Sequence, residues 1–170
     1  MPEHINVDNL IASMADELRD LLVTRSIDNP VMIGIHTGGV WVASRLHALL
    51  NIDDPLGTLD ISFYRDDFTK IGMNPQVKPS NLPASIDGRH IILVDDVLYT
   101  GRTIRAALNE IFDFGRPASV LLAALIDRDG RELPMAADVS GHAITLAPNC
   151  HIKLTGPEPL SLSESILEDT

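Results

Sequence analysis

The chain alternates between segments of helical and of strand-like periodicity. Over residues 7–23 the apolar side chains recur every three or four positions, the spacing of an amphipathic helix, and Asn6 or Asp8 is placed to cap it. Residues 31–35 are a short continuous apolar run, which is typical of a strand covered on both faces. The same two patterns predict helices over 7–23, 40–50 and 103–112, and strands over 31–35, 58–64, 91–94 and 119–125. Helices and strands that alternate in this way predict an α/β fold with a mainly parallel sheet flanked by helices.

Three other segments lack a regular pattern. Residues 65–89 contain several prolines, and a stretch of this length in a compact domain is usually a functional lid or an extended hairpin. Residues 127–155 predict shorter, less regular pieces, and residues 156–170 predict a frayed acidic tail. Because 170 residues are the size of one domain, we expect a single domain over 1–155 followed by the tail over 156–170.

Charge and composition restrict which partners the protein is expected to bind and in which cellular compartment it is expected. The formal net charge of −11 disfavours nucleic acid as a partner, because a negative surface repels phosphates. The segment 65–131 is balanced, with nine basic and nine acidic residues, so an anionic ligand is expected there. The single cysteine, Cys150, cannot form an internal disulfide, and no apolar run approaches the roughly 18 residues that cross a bilayer. We therefore expect a cytoplasmic protein with no membrane partner.

The segment with the most distinctive chemistry follows the predicted strand 91–94. Asp95 and Asp96 are two adjacent carboxylates at the end of this strand, where parallel sheets bind ligands. The chain then passes through a Thr-Gly-Arg-Thr turn, residues 100–103, into a helix whose first N–H groups and positive dipole end suit a phosphate. Two carboxylates beside a phosphate suit sugar hydroxyls, a bound cation or a positive charge that develops during a reaction. A phosphorylated ribose activated by pyrophosphate combines these features.

The segment Val94–Thr103 resembles the phosphoribosyl pyrophosphate (PRPP) motif of type I phosphoribosyltransferases, and its sequence is most similar to that of the PyrR family. Two further stretches, at residues 62–67 and 127–134, resemble the same family. This family combines regulation of the pyrimidine operon with uracil phosphoribosyltransferase activity. The resemblance implies the type I phosphoribosyltransferase fold, with a small irregular hood over the base site.

The resemblance also implies a role for each matched residue. Asp95 and Asp96 are expected to bind the ribose hydroxyls and, together with Arg65, to be the catalytic residues. Contacts to PRPP are implied for Thr37, Gly38, Gly39, Val97, Leu98, Tyr99, Thr100, Gly101, Arg102 and Thr103. The flexible loop would begin with Tyr64, Asp66 and Asp67 around Arg65. The base or UMP would lie near Asp127, Arg128, Arg131, Glu132, Leu133 and Met135.

The implied reaction joins uracil to PRPP and gives UMP and pyrophosphate. Mg²⁺ is the implied cofactor, carried by PRPP close to Asp95 and Asp96, because this ion favours oxygen ligands and usually keeps waters and substrate phosphates. A homodimer or a larger assembly is implied as well, and RNA is implied as a regulatory partner.

Three departures from the family pattern leave alternatives open. Gly38 stands where the family usually has an arginine, and residues 141–146 differ from the Gly-Lys-Asn-Ile-Pro-Thr type of sequence expected there. Both departures favour an alternative function, a regulatory protein that senses PRPP or UMP with little or no turnover. The first helix has one arginine against three acids over residues 9–20, which disfavours RNA binding. A phosphoacceptor signalling domain would also use acids at strand ends, but it does not explain the Thr-Gly-Arg-Thr turn.

Overall fold

The computed structural model describes residues 5–61, 80–82 and 85–168. The helices within these ranges are α1 (Val7–Thr24), α2 (Gly38–Leu50) and α3 (Arg102–Phe114). The strands are β1 (Val31–Ile35), β2 (Gly57–Leu59), β3 (His90–Leu98), β4 (Ser119–Arg128), β5 (Val139–Ile144), β6 (Cys150–Thr155) and β7 (Ser161–Ile166). Each helix and strand predicted from periodicity corresponds to one of these elements. Asn6 caps α1, because its side-chain oxygen accepts a hydrogen bond of 3.1 Å from the N–H of Asn9.

Strands β1 to β5 form one sheet in which all neighbouring strands are parallel. Their order is β2-β1-β3-β4-β5. The chain leaves β1 in one direction to form β2, then crosses to the opposite side of β1 to form β3, so the strand order reverses between β1 and β3. Open parallel sheets bind ligands at such a reversal, outside the carboxyl ends of the strands. The predicted α/β fold is confirmed, and its topology points to the ends of β1 and β3.

Helices cover both faces of this sheet. α1 and α2 pack on one face through residues such as Ile11 and Leu46. α3 packs on the other face through Ile104 and Ile111. All five residues of β1 are buried as a result, which is why this strand is a continuous apolar run rather than an alternating one. Among the described residues, no helix has the length and apolar character needed to cross a membrane.

Two central strands are longer than their apolar runs. β3 continues past Val94 to Leu98, so Asp95 and Asp96 lie inside a strand rather than after it. The reason is pairing: β4 runs alongside to Arg128, with Leu98 opposite Asp127, and each strand supplies the other with backbone partners. β2 is shorter than the strand predicted over 58–64, since it ends at Leu59, and residues 62–64 lie outside the described part of the chain.

The C-terminal segment is more regular than the sequence suggested. Residues 161–166 form β7, which pairs antiparallel with β6, and the frayed tail predicted over 156–170 is therefore wrong for the residues that the structure describes. The cause is burial: Leu154 and Leu160 join the core on the side of α1 and α2. The segment 127–155 likewise contains the end of β4 together with β5 and β6. The division of the chain into a domain and a tail at residue 155 stays a prediction.

Burial of the hairpin predicts that its leucines contribute to stability. Leu160 is 8% exposed, whereas Leu167, just after β7, is 53% exposed. We expect Leu160→Ala to lower the free energy of unfolding by about 2 kcal/mol, because it leaves a cavity in the core. Leu167→Ala is the matched control and should change it by less than about 0.5 kcal/mol. Urea denaturation measures both values, and an unchanged midpoint for Leu160→Ala would indicate that the hairpin does not pack as described.

Candidate active site

Two loops meet where the strand order reverses. One follows β1, contains His36 and Thr37, and leads into α2; the other follows β3 and leads through the Thr-Gly-Arg-Thr turn into α3. β1 and β3 are neighbours in parallel register, with Gly34 opposite Val94, so the ends of both strands lie side by side. The structure therefore brings the Thr37–Gly39 segment, the acid pair and the turn together at one edge of the sheet.

The start of α2 packs directly on the acid pair. A Cβ atom at Gly39 would lie 2.7 Å from the carbonyl oxygen of Val94, and one at Gly38 would lie 2.8 Å from the carboxylate carbon of Asp96. Real Cβ atoms do not make contacts this short, so glycine at these positions lets the helix approach β3. An arginine at position 38, as the family usually has, would fit only if the Asp96 side chain moved. The glycine and the position of Asp96 thus depend on each other.

The two carboxylates of the pair differ in exposure. Asp95 is 5% exposed, whereas Asp96 is half-buried and has surface that a ligand can contact. Each carboxylate accepts a hydrogen bond of 2.8 Å from the next backbone N–H, that of Asp96 for Asp95 and that of Val97 for Asp96. These bonds hold both side chains against the backbone. An ionised carboxylate only accepts hydrogen bonds, so the pair suits hydroxyl donors or a cation.

The Thr-Gly-Arg-Thr turn has the backbone conformation that its glycine allows. Gly101 has a φ of +93° and precedes the first residue of α3. The hydroxyl oxygen of Thr100 accepts a hydrogen bond of 3.2 Å from the N–H of Arg102. The carbonyl of Gly101 accepts one of 3.0 Å from the N–H of Arg105, the first bond of the helix. The turn thus forms a helix N-terminus at the carboxyl edge of the sheet, where a phosphate can bind.

The segment after β4 also contacts this turn. The carbonyl of Thr100 accepts hydrogen bonds from the N–H groups of Glu132, at 2.9 Å, and of Leu133, at 3.0 Å. A Cβ atom at Gly101 would lie 3.0 Å from the Cγ of Met135, so this side chain packs against the glycine. The ion pair between Arg102 and Glu132, at 2.8 Å, is more than half exposed and adds little. The turn and the segment 131–135 form one packed unit, held mainly by backbone hydrogen bonds.

Arg131 holds several loops of the site together. Its guanidinium donates to the carbonyls of Met135 at 2.7 Å, of Tyr99 at 2.6 Å and of Arg128 at 3.2 Å. It also donates to the carboxylate of Asp127 at 2.7 Å. These donors are directed at the protein, so the geometry supports a positioning role for Arg131. Direct contact of Arg131 with the base stays a prediction.

Arg128, the other arginine expected near the base, is nearly inaccessible. It is 2% exposed at the end of β4, and its guanidinium carbon lies 3.9 Å from the centroid of the Tyr99 ring. Its Nη atoms donate to the carbonyls of Cys150 at 3.0 Å and Ala147 at 3.3 Å. The side chain therefore lies beneath the site rather than at its surface.

A cavity of about 360 Å³, lined by both polar and apolar side chains, opens beside Arg131, at the carboxyl ends of β4 and β5. Its lining residues are Asp127, Asp129, Arg131, Ala143, Ile144 and Thr145. Asp129 and residues 143–145 are not among the residues predicted for the site. Their positions at or directly after the carboxyl ends of parallel strands could have identified them as site residues.

The remaining predicted residues fall into two groups. Val97 and Leu98 pack into the two cores, and Leu98 is 1% exposed, so this residue has only backbone groups to offer a ligand. Tyr64, Arg65, Asp66 and Asp67 lie outside the described residues.

Comparison with known proteins agrees with this geometry. Residues 5–151 match the family model of the phosphoribosyl transferase domain. The chain is 60% identical over 171 positions to the bifunctional protein PyrR of Nitrosococcus oceani, covering 99% of this chain and 97% of that protein. It is 56% identical to the bifunctional protein PyrR of Pseudomonas aeruginosa, covering 95% of each. A purine phosphoribosyltransferase structure from Pyrococcus horikoshii shares the fold, with a TM-score of 0.61 and 24% identity over 82% of this chain and 86% of that one.

The positive φ of Gly101 gives a test of the turn. Gly101→Ala should lower stability by about 1 kcal/mol through backbone strain, and it should weaken PRPP binding by about tenfold, because the added methyl group displaces Met135 and the turn. Gly88→Ala is the matched control: Gly88 has a φ of +68°, with no atom within 4 Å of an added Cβ. It should lose similar stability and keep wild-type affinity. Calorimetry with PRPP separates the two, and equal affinities would argue against a ligand at this turn.

Proposed function

The chain belongs to the PyrR family of phosphoribosyltransferases, and we propose that it transfers the phosphoribosyl group of PRPP to uracil. The observation that supports this most strongly is the order of groups along β3 and α3, at the reversal of the sheet. Asp95 and Asp96 would bind the ribose 2′- and 3′-hydroxyls, and the Thr-Gly-Arg-Thr turn would bind the 5′-phosphate. Carboxylates that accept from hydroxyls, followed within a few residues by a phosphate site, match a ribose 5-phosphate.

The reaction forms one bond and breaks another at the same carbon. N1 of uracil attacks C1′ of the ribose while the C1′–O bond to pyrophosphate breaks, and the N1 proton is lost; the products are UMP and pyrophosphate. Positive charge develops on the sugar ring, and the carboxylates of Asp95 and Asp96 would stabilise it. The backbone hydrogen bonds that already hold both carboxylates reduce the reorganisation this requires. Arg65 would neutralise the leaving pyrophosphate.

Phosphoribosyltransferases generally use Mg²⁺ together with PRPP. The donor chemistry of the acid pair fits this ion, since carboxylate oxygens are ligands that Mg²⁺ accepts. No cluster of three or more acidic, histidine or cysteine side chains that could hold a metal occurs in the described part of the chain. We therefore propose that Asp95 and Asp96 approach an ion that is bound chiefly by the substrate and water. When bound, Mg²⁺ would offset the negative charge of the pyrophosphate.

The base would lie in the cavity beside Arg131. Asp127 and Arg131 line this cavity, and the segment that Arg131 begins, residues 131–135, is hydrogen-bonded to the turn. Because Arg131 donates to Tyr99 and to Asp127, it would keep the base site at a constant distance from the phosphate site. Base recognition would then depend on a loop whose shape is set by the protein before the ligand arrives.

A second function is supported by Gly38. Without the arginine that the family usually has at this position, one positive charge near the pyrophosphate is missing. The alternative is a regulatory protein that senses PRPP or UMP with little turnover. Both proposals use the same binding residues, so they differ only in the rate of the chemical step.

We also propose a role in regulating pyrimidine genes, but not through phosphate contacts made by α1. The exposed surface of this helix includes Asp16, Glu17 and Asp20. Arg19 is already engaged, because it donates to Asp16 at 2.8 Å and to the carbonyl of Leu49 at 3.1 Å. Phosphate contacts supply much of the affinity for RNA, and this face offers few of them. Assembly into at least a dimer and a cytoplasmic location stay predictions.

The catalytic proposal predicts UMP formation from uracil, PRPP and Mg²⁺. Asp96→Asn should lower kcat/KM by at least about tenfold, because a charge that stabilises the transition state is removed. Asp20→Asn, at an exposed acid on α1, is the matched control and should be indistinguishable from wild type. Chromatographic detection of UMP measures the rates. A wild-type chain that forms no UMP, but is protected against thermal unfolding by PRPP or UMP, would refute the enzyme and support the sensor.

The acidic face of α1 predicts weak binding to RNA. At a salt concentration of about 0.15 M we expect no tight complex in gel shifts, because like charges dominate this surface. A salt series on the same gels gives the number of phosphate contacts from its slope. A tight complex that is lost in Arg19→Ala would contradict the proposal that α1 does not bind RNA.

A further inference from the structure

Arg128 and Asp95 are the buried charged side chains among the described residues, and Arg128 is the more deeply buried of the two at 2% exposure. Within the same ranges no carboxylate forms an ion pair with its guanidinium. Burying a charge is unfavourable unless other groups compensate for the lost water. The groups around Arg128 that provide this compensation therefore indicate what the residue does.

One compensating group belongs to the site. The guanidinium carbon lies 3.9 Å from the centroid of the Tyr99 ring, a stacking distance at which a cation is attracted to the face of an aromatic ring. Tyr99 directly precedes the Thr-Gly-Arg-Thr turn, and its own carbonyl accepts a hydrogen bond of 2.6 Å from Arg131. Two arginines thus hold Tyr99, one through the ring and one through the backbone.

The other compensating groups belong to the C-terminal hairpin, β6 and β7. The carbonyls of Ala147 and Cys150, which accept from Arg128, lie just before and at the start of β6. The hairpin packs in turn on α2, where a Cβ at Gly156 would lie 3.0 Å from the indole of Trp41. Arg128 therefore lies between the hairpin on one side and Tyr99, at the start of the Thr-Gly-Arg-Thr turn, on the other.

We propose that Arg128 is a positioning residue that sets the affinity for PRPP by holding the Tyr99 ring, and so the turn at 100–103, against the base of the C-terminal hairpin. This inference rests on the proposed function. The planar guanidinium is required because it stacks on a ring with its face while its edge donates to two separate carbonyls. Lysine has a compact charge and a flexible stem, so it can restore part of this arrangement.

The proposal predicts a particular pattern of variant effects. Arg128→Met keeps most of the volume and removes the charge, and Tyr99→Leu removes the ring. Each should weaken PRPP binding by about tenfold, with a rise in KM for PRPP and a smaller change in kcat. Arg128→Lys should recover part of the loss. In the double variant the two effects should not multiply, because both disrupt the same contact.

Leu154→Ala is the matched control for loss of hairpin packing. Leu154 is 2% exposed, lies within β6 and packs into the core on the side of α1 and α2. It should lower the unfolding temperature as Arg128→Met does, yet bind PRPP within about twofold of wild type. Fluorescence of the single tryptophan, Trp41, reports whether the hairpin remains packed on α2 in each variant.

The measurement is calorimetric titration of each purified variant with PRPP and Mg²⁺, followed by kcat and KM. Wild-type affinity in Arg128→Met, with only a lower unfolding temperature, would overturn the proposal and leave Arg128 a purely structural residue. If Arg128→Met does not fold, wild-type PRPP affinity in Tyr99→Leu overturns it. Titration needs no turnover: a wild-type chain that binds no PRPP refutes the proposed function as well, whereas equal binding by all variants refutes only the role of Arg128.

Discussion

The parallel pairing of β3 between β1 and β4 is the constraint on which the site depends. β3 is buried on both faces up to Val94, so its position and direction are set by the core rather than by any ligand. The pairing continues through Asp95 opposite Ala124 and Leu98 opposite Asp127. Two carboxylates, a helix N-terminus and the start of the next loop are therefore delivered to one edge of the sheet without flexible connections. A site built on such elements is held in place before its substrate binds.

The groups around the turn explain how an acidic protein can bind a strongly anionic ligand. Backbone N–H groups and a helix N-terminus attract phosphate without adding charged residues. Two arginines beside this turn make their contacts inside the protein: Arg131 donates to loop carbonyls and Asp127, and Arg128 stacks on the ring of Tyr99. Gly38 permits the close approach of α2 to Asp96. Position 38 therefore contributes a packing contact with Asp96, where an arginine would contribute a positive charge. The net charge of −11 is thus compatible with a local anion site, because the acids of α1 lie on exposed helix surface.

Much of the fold was predictable, because apolar periodicity and the acid pair are both local patterns. The fold class, the helices and the segments that meet at the sheet edge followed from them. The hairpin of β6 and β7 did not: Ile152 and Leu154 alternate with polar residues, but this run is short, and the proline-containing segment 156–159 separates it from Leu160. The burial of Arg128 was equally hidden, since arginine is usually exposed and its partners here are backbone carbonyls and a ring distant in sequence. The role of Arg131 was hidden for the same reason, because three of its contacts are to carbonyls.

The central claim, that the acid pair and the turn form one ribose 5-phosphate site, is tested most directly by a crystal structure of the chain with PRPP and Mg²⁺. We expect the 5′-phosphate at the backbone N–H groups of residues 100–103 and the ribose hydroxyls within hydrogen-bond distance of Asp95 and Asp96. A PRPP molecule whose phosphate does not contact this turn and whose hydroxyls contact neither carboxylate would contradict the proposed site.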